Sequence, residues 1–388
     1  MRLSRLALLL AAVAGPATAN SPTPLPAYTP AYEPTTVDER GLWGEADEEE
    51  RKLRDSPLVV RDEAVNAYVR RVFCTTVGQD RCKPVRIYIV EVPRFNAMMA
   101  PNGMMVVWSG LLLRTRNEAE LGAVLGHEFA HFELRHGLAA FKRARNISDA
   151  LSWIGVAGGL AGVNTFGLQW ALIGSFYRFN RDQERQADEL GLKYLAASSY
   201  PADAMPQLWT HMMAEDDATK VARGRKPRQR YSAGFFDTHP TELDRAVTLT
   251  KLAARYGDSG DAASAGHRTG VAPVMLMLLA DQIKLNDFGG TDYILGQLAQ
   301  GSGWTSDLLF ARAELYRARG NPRDLVTAAG FYGDAIRAGC TVPEARRGLG
   351  LSLMRSGQAT DGRTALAEYL QLKPDAADAK AIQALLAN

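Results

Sequence analysis

A short motif carries the residue types that metal-dependent hydrolysis requires. The sequence HEFAH at residues 127–131 places His127 and His131 four residues apart. On a helix, positions i and i+4 share one face, so both imidazoles can reach one ion while Glu128 lies beside them. Two imidazoles suit zinc, although a catalytic site needs a third protein ligand and an open position for water. The pattern predicts one long, partly buried helix over residues 117–145. The alternative is a pair of core histidines bonded to the backbone.

A third ligand is expected from a second helix, which the pattern predicts from about Arg181 to Ala197. Glu184 and Asp188 lie at i and i+4 within it, hence on one face. Glu184 could bind the metal, while Asp188 could accept the free ring N–H of a histidine ligand. An acidic pair on a helix usually only solvates a surface. From these residues alone, both readings stay open.

The elements that must hold these residues can be predicted from periodicity. A helical pattern begins near Arg51, and alternation with β-branched residues predicts a strand over residues 85–90. A second strand is predicted over residues 104–108. The Pro-Asn-Gly turn at residues 101–103 predicts that it forms a hairpin with residues 96–100.

The N-terminus has the pattern of an export signal. Arg2 and Arg5 precede a short apolar core, and the Ala-Thr-Ala sequence ending at Ala19 offers a cleavage site. Residues 1–19 are therefore predicted to be a signal peptide, with an uncleaved anchor or a buried helix as the alternative. Residues 20–50 are rich in Pro, Thr and acidic groups, which predicts an extended linker.

The C-terminal third differs in composition from the rest. A Gly- and Ser-rich stretch near residues 257–270 predicts a boundary between one domain over residues 51–258 and a helical domain over residues 270–388. Small residues, turn glycines and a closing proline match helix-turn-helix repeats of about 34 residues. These repeats resemble the tetratricopeptide family, without part of its Trp and Tyr anchors. The alternative is an ordinary helical domain.

Charge and cysteine usage narrow the class of protein. The chain has 46% hydrophobic and 23% charged residues, as globular proteins do, and a net charge of +2 without a basic stripe. A nucleic-acid partner is therefore not expected.

The cysteines give a second indication. Cys74 and Cys82 are close enough in sequence to pair in an oxidising compartment, which would leave Cys340 free. Three buried thiols are an equal alternative.

Three further histidines are not predicted to be metal ligands. His136 is expected to make a structural contact at the end of the motif helix, while His211 and His267 are expected at the surface.

Residues 150–177 are apolar but rich in glycine. They are predicted to form two buried or interfacial helices over the active site, with membrane insertion as the alternative.

Taken together, the motifs resemble a known metallopeptidase family. HEFAH followed by LRHG at residues 134–137, RDQERQAD at residues 181–188 and THP at residues 238–240 is similar to the CAAX prenyl proteases and the HtpX-type quality-control metallopeptidases. The resemblance spans residues 58–245, and Asn180 stands where the family often has Ser. It implies an α+β fold of the zincin type, mostly helical, with the active-site helix beside a small sheet.

The resemblance also implies roles for individual residues. Glu184 becomes the third ligand of one zinc ion per chain, Asp188 its supporting partner and Glu128 the general base. Arg245 and His239 are expected to stabilise the oxyanion, and His239 could instead block the zinc in a latent enzyme. Substrate is expected along an exposed edge strand, with Met98 at the family's Phe position, formed by Asn96, Ala97, Met98, Met99 and Ala100.

With an export signal and helical repeats, the architecture is similar to that of the BepA-like periplasmic proteases. This implies a periplasmic zinc endopeptidase that acts on misfolded or stalled envelope proteins. Its repeats would recruit clients or the outer-membrane assembly machinery. The alternatives are a non-proteolytic chaperone or scaffold with a structural zinc, an integral membrane protease, and a repeat protein with an inert catalytic half. Peripheral membrane contact also stays open.

Overall fold

A computed structural model describes Leu25, Tyr28 and residues 32–146, 181–227, 242–257 and 260–387. The predicted signal peptide, the apolar run at residues 150–177 and His239 lie outside the described residues. The described chain is mostly helical with one three-stranded sheet, which agrees with the predicted α+β class. The strands are β1 Arg86–Val90, β2 Ala97–Met99 and β3 Met104–Trp108. The helices are α1 Val37–Arg54, α2 Glu63–Val77, α3 Gln79–Cys82, α4 Ser109–Arg114, α5 Glu118–Glu133, α6 His136–Asn146, α7 Arg181–Ala197, α8 Ala204–Ala222, α9 Glu242–Ala253, α10 Ser264–Val271, α11 Met275–Lys284, α12 Phe288–Ser302, α13 Ser306–Arg319, α14 Pro322–Arg337, α15 Glu344–Arg355, α16 Ala359–Leu372 and α17 Ala379–Ala387.

The sheet has the order β1-β3-β2, so β2 is an edge strand. β1 runs parallel to β3, and β2 pairs antiparallel with β3, which confirms the predicted hairpin. Gly103 in the connecting turn has φ +89°, a conformation that glycine adopts without steric cost.

Both faces of the sheet are covered, because alternate side chains of each strand point in opposite directions. Ala97, Met99, Met105 and Val107 join the main core with α2 and α5. On the opposite face, a second cluster contains side chains of α1 and of all three strands: Ala46, Leu53, Val90, Met98, Met104, Val106 and Trp108. β2 and β3 are therefore continuous apolar runs, whereas β1 begins with the exposed Arg86.

The predicted extended linker is wrong for residues 37–50, since α1 occupies them. Thr36 and Glu39 form a capping box that satisfies the first turn of the helix. Further along, the buried Glu50 carboxylate accepts a hydrogen bond of 2.6 Å from Arg86 and one of 2.9 Å from the Tyr88 hydroxyl. The composition of residues 20–50 predicted a solvated, extended segment. Instead, these contacts with the sheet stabilise α1.

A disulfide joins Cys74 at the end of α2 to Cys82 at the end of α3, and Cys340 is a buried free cysteine. The loop that this bond closes holds Arg81, whose Nε lies 3.4 Å from a carboxylate oxygen of Glu133. Glu133 is the last residue of α5. The disulfide therefore anchors a cation at the C-terminal end of the helix that carries the histidine motif.

Helices α10 to α13 share one hydrophobic core with the domain before them. Leu279, Leu295 and Leu308 belong to the same buried cluster as Val69 and Leu121. Beyond them, α13 packs on α14 and α15 on α16 around two smaller clusters. Helix pairing is therefore as predicted, while the tetratricopeptide assignment and the boundary near residues 257–270 stay predictions.

His267 was expected at the surface, and this is wrong, because it is only 2% exposed. Its Nδ1 lies 2.6 Å from the Tyr68 hydroxyl and its Nε2 lies 3.3 Å from the carbonyl oxygen of Leu112. A neutral imidazole fits this arrangement, since Nε2–H can donate to the carbonyl while Nδ1 accepts from tyrosine. His211 is also drawn inward, with Nδ1 3.2 Å from the buried Glu120 carboxylate.

The burial of His267 predicts acid lability. Burial lowers the pKa of its imidazole to about 4, against about 6.5 in the unfolded chain. Between these values the unfolded state binds more protons, so the free energy of unfolding falls as pH drops from about 6.5 to 4. Replacing His267 with Gln should reduce that dependence by up to about 1.4 kcal/mol per pH unit. Urea unfolding of both proteins at several pH values, with a chelator present, measures the two slopes; equal slopes would contradict the prediction.

Candidate metal centre

Helix α5 presents the HEFAH motif from a buried position. Its first turn is capped by the Asn117 side chain, which accepts a hydrogen bond of 2.7 Å from the backbone N–H of Glu120. The side chains of His127, Glu128 and His131 are all buried. The motif therefore lies within the domain and not on a solvated helix face.

The predicted single helix over residues 117–145 is interrupted, and this interruption matters for the site. α5 ends at Glu133, Arg135 has φ +57°, and α6 begins at His136. A left-handed residue reverses the chain direction at the end of a helix. As a result His136 turns back, and its Nδ1 lies 2.9 Å from Nδ1 of His131. The predicted structural contact of His136 at the helix end is confirmed.

Helix α7 packs against α5 and brings Glu184 to the histidines. Gly191 permits this approach, because a Cβ at that position would lie 3.1 Å from the backbone of His127. A Cβ rarely lies this close to another atom, and the backbone of the packed helix α5 has little freedom to move away. Glu184 is fully buried, two turns before Gly191 on α7. The role of Gly191 was not predicted from the sequence, although a glycine within a helical pattern is a signal of close packing.

Three side chains from α5 and α7 converge on one point. Nε2 of His127 and Nε2 of His131 lie 3.1 Å apart, and the Glu184 carboxylate oxygens lie 3.5 Å from each of these nitrogens. Two ligands of a tetrahedral zinc with bonds of about 2.0–2.1 Å lie about 3.3 Å apart. The three separations therefore fit a single zinc-sized ion, and among the described residues this is the one cluster of metal-binding side chains.

A second layer of residues surrounds His127. Its Nδ1 lies 3.0 Å from Oδ1 of Asp188, so the ring N–H can donate to this carboxylate. The same carboxylate accepts hydrogen bonds of 2.5 Å and 3.1 Å from the Arg245 guanidinium. The guanidinium carbon of Arg245 lies 4.1 Å from the ring centroid of Trp209. Trp209 was not predicted from the sequence, because it belongs to no motif.

His131 is held in a comparable way on its other side. Nδ1 of His131 faces His136, and Nε2 of His136 lies 3.1 Å from the Gln186 side-chain oxygen. His127 and His131 thus each have Nε2 toward the Glu184 carboxylate. Their Nδ1 atoms face fixed partners, which are Asp188 and His136. Such partners set the tautomer and the orientation of a metal-binding imidazole.

Burial and charge shift the pKa values of the site. Burial raises the pKa of Glu128 to about 7, although the His127 and Arg245 charges oppose it. Burial and Arg245 lower the pKa of His127, but Asp188 and Glu184 outweigh them and raise it to about 9. Burial alone would raise the pKa of Asp188, yet the Arg245 and His127 charges lower it. Glu128 is thus a stronger base than an exposed glutamate, while Asp188 is held ionised.

The predicted substrate strand lies beside the motif helix at the sheet edge. β2 contacts α5, but residues Asn96 to Ala100 are only 2–7% exposed, main chain included. The expectation that this edge strand is exposed is therefore wrong. The other predicted residue of the site, His239, lies outside the described part of the chain.

Comparison with known proteins decides the family. The sequence model of peptidase family M48 matches residues 58–253, half of the chain, and this range includes every residue of the cluster. The chain belongs to peptidase family M48. Because M48 is a family of metallopeptidases, the match agrees with the buried cluster of His127, His131 and Glu184.

Individual relatives are similar at low identity. A Vibrio cholerae protein named as a beta-barrel assembly-enhancing protease is 28% identical over 268 residues, 65% of this chain and 52% of that protein. The beta-barrel assembly-enhancing protease of Escherichia coli K12 is 27% identical over 167 residues, 40% of this chain and 34% of that protein. Mitochondrial metalloendopeptidase OMA1 of Schizosaccharomyces pombe is 27% identical over 181 residues, 46% of this chain and 50% of that protein. The chain thus spans about half or less of the length of these relatives.

Within the described ranges, no helix is both long enough and apolar enough to cross a lipid bilayer.

Proposed function

We propose that this protein is a zinc-dependent endopeptidase that holds one zinc ion with His127, His131 and Glu184. The observation that carries the proposal is the 3.1–3.5 Å spacing of three buried ligand atoms from two helices. Three protein ligands leave one tetrahedral position for water, as catalytic zinc sites do. The buried Glu128 beside them supports catalysis, since a structural zinc site has no use for a general base.

The residues around the ligands then have separate tasks. Bound zinc would act as a Lewis acid and supply a water of lowered pKa. Glu128 would accept a proton from that water and return it to the leaving amine. Asp188 and His136 would orient the two imidazoles, and Asp188 is itself fixed by Arg245. Arg245, together with His239, is proposed to stabilise the oxyanion.

Substrate is proposed to bind as an extended strand along β2. An edge strand has main-chain groups on one side that no neighbouring strand uses, so it can pair with a peptide. β2 is the strand of the sheet that lies at this edge and contacts α5. Main-chain pairing would hold many sequences, which suits an enzyme that acts on unfolded chains.

The proposed substrates are misfolded or stalled proteins of the bacterial envelope. The names of two relatives support this, since both are beta-barrel assembly-enhancing proteases. The predicted export signal supports a periplasmic location, and the Cys74–Cys82 disulfide fits an oxidising compartment. The helices after residue 270, including the tetratricopeptide-like repeats, are proposed to recruit clients or the outer-membrane assembly machinery.

The test is metal-dependent cleavage of an unfolded protein such as casein by the purified full-length chain. We expect about one zinc ion per chain, loss of cleavage after removal of the metal with a chelator, and recovery when zinc but not magnesium is added. Metal content is measured by atomic emission and cleavage by release of peptides. Cleavage that survives complete removal of zinc would overturn the proposal.

A further inference from the structure

A small cavity opens beside the proposed catalytic residues. Its volume is about 20 Å³, which is room for about one water molecule. His127, Glu128 and Arg245 are the polar residues of its wall. The rest of the wall is apolar and consists of Phe95, Ala123, Val124, Met205, Leu208 and Trp209.

The apolar wall has a fixed size, because it is part of the packed core. Ala123, Met205 and Leu208 are 1–2% exposed and belong to the main hydrophobic cluster. Trp209 packs edge-on against Phe95 at 6.2 Å between ring centroids, and its other neighbour is the Arg245 guanidinium. Close-packed cores do not widen without displacing neighbours. The cavity therefore has little room to widen for a larger group.

The same wall holds a hydrogen-bond donor that the described residues do not use. Trp209 is 6% exposed, and within the described part of the chain its indole N–H has no acceptor. Buried donors nearly always have a partner, and an unpaired one lowers the stability of the folded chain. A peptide carbonyl bound at this wall would supply the missing acceptor.

We infer that this cavity is the specificity pocket of the peptidase and takes a side chain no larger than a methyl group, as in Ala. The inference rests on the proposed endopeptidase function and adds its substrate class. Because His127 and Glu128 border the cavity, a side chain inside it belongs to a residue that flanks the scissile bond. A charged side chain would lose its hydration there, and an aromatic one would require the core to shift. Trp209 donates a hydrogen bond to the main chain of the same substrate segment.

The test maps cleavage sites by mass spectrometry after digestion of unfolded protein mixtures by the zinc-loaded full-length chain. At one position beside the cut, wild type should prefer Ala over Val, Leu and Phe by about tenfold or more. Leu208→Ala enlarges the cavity and should move the preference toward Val and Leu. Ala123→Val narrows it and should move the preference toward Gly. The control is Leu279→Ala, a buried leucine of α11 outside the cavity, which should keep the wild-type preference.

Trp209→Phe supplies an independent readout, since it keeps a ring but removes the N–H. We expect KM for a peptide with Ala at the selected position to rise about 3- to 10-fold, with kcat nearly unchanged, as loss of one hydrogen bond implies. Opposite shifts for the two cavity variants cannot come from general destabilisation, which would lower cleavage of all sites together.

The outcomes separate the two proposals. If wild type cleaves no better than the uncatalysed background, the endopeptidase function itself fails. If wild type cleaves without a preference for Ala over larger side chains, or if Leu279→Ala shifts the preference as much as Leu208→Ala, the pocket assignment is overturned while the peptidase stands. An unchanged KM for Trp209→Phe would remove the role of the indole N–H.

Discussion

Replacing Glu128 with Gln is expected to lower kcat for cleavage of an unfolded protein by about 10²- to 10⁴-fold. Glutamine has nearly the same shape as glutamate but cannot accept a proton from water. The Glu128 side chain is buried next to His127 and lines the cavity at the proposed centre. The variant should therefore retain the site while losing the base. Peptide release from casein by both proteins, at equal zinc content, measures the effect.

The same comparison separates an enzyme from a chaperone. The variant should keep about one zinc per chain and an unfolding temperature close to that of wild type, because Glu128 is not among the three converging ligand atoms. It should also retain bound clients, which can then be identified after co-purification. Equal cleavage by wild type and Glu128→Gln would instead favour the non-proteolytic chaperone with a structural zinc.

Glu184→Gln should weaken zinc binding by more than about 100-fold, beyond the 10- to 100-fold typical of residues that only support ligands. A carboxylate carries the charge that makes it a good ligand for a divalent cation, and a neutral amide does not. Glu184 is fully buried, with its oxygens 3.5 Å from both imidazole nitrogens. Competition with a zinc-binding dye measures the affinity, and cleavage should fall in parallel.

Glu189→Gln is the matched control for this prediction. Glu189 lies on α7 as well, but its side chain is exposed. The control removes one negative charge from the same helix. It therefore tests whether the loss of charge alone lowers the zinc affinity. Unchanged zinc affinity in Glu184→Gln would mean that another residue is the third ligand, and the zinc centre described above would be wrong.

The catalytic motif and the sheet could be predicted because their signals are local. His127, Glu128 and His131 follow from helix periodicity, since four residues bring side chains to one face. The hairpin follows from the Pro-Asn-Gly turn between two apolar runs, and α7 was predicted over its observed range, residues 181–197. Each of these features depends on neighbours in the sequence.

The remaining features depend on distant partners. Composition assigned residues 20–50 to a linker, but α1 forms because Ala46 and Leu53 cover the sheet and Glu50 binds Arg86. His267 was expected to be exposed because its partners, Tyr68 and the carbonyl of Leu112, lie far away in the sequence. A local pattern contains no information about such contacts.

The sequence by itself determined that the two imidazoles of His127 and His131 share one helix face with Glu128 beside them, and it provided the family resemblance that marked Glu184. Only the tertiary structure decided that Glu184 meets those imidazoles at zinc-like distances, that Asp188 binds both His127 and Arg245, and that Trp209 closes an apolar cavity beside them. The physical reason is the range of each constraint. Periodicity fixes which side chains share a face of one helix, whereas packing between α5, α7, α8 and α9 fixes which faces meet.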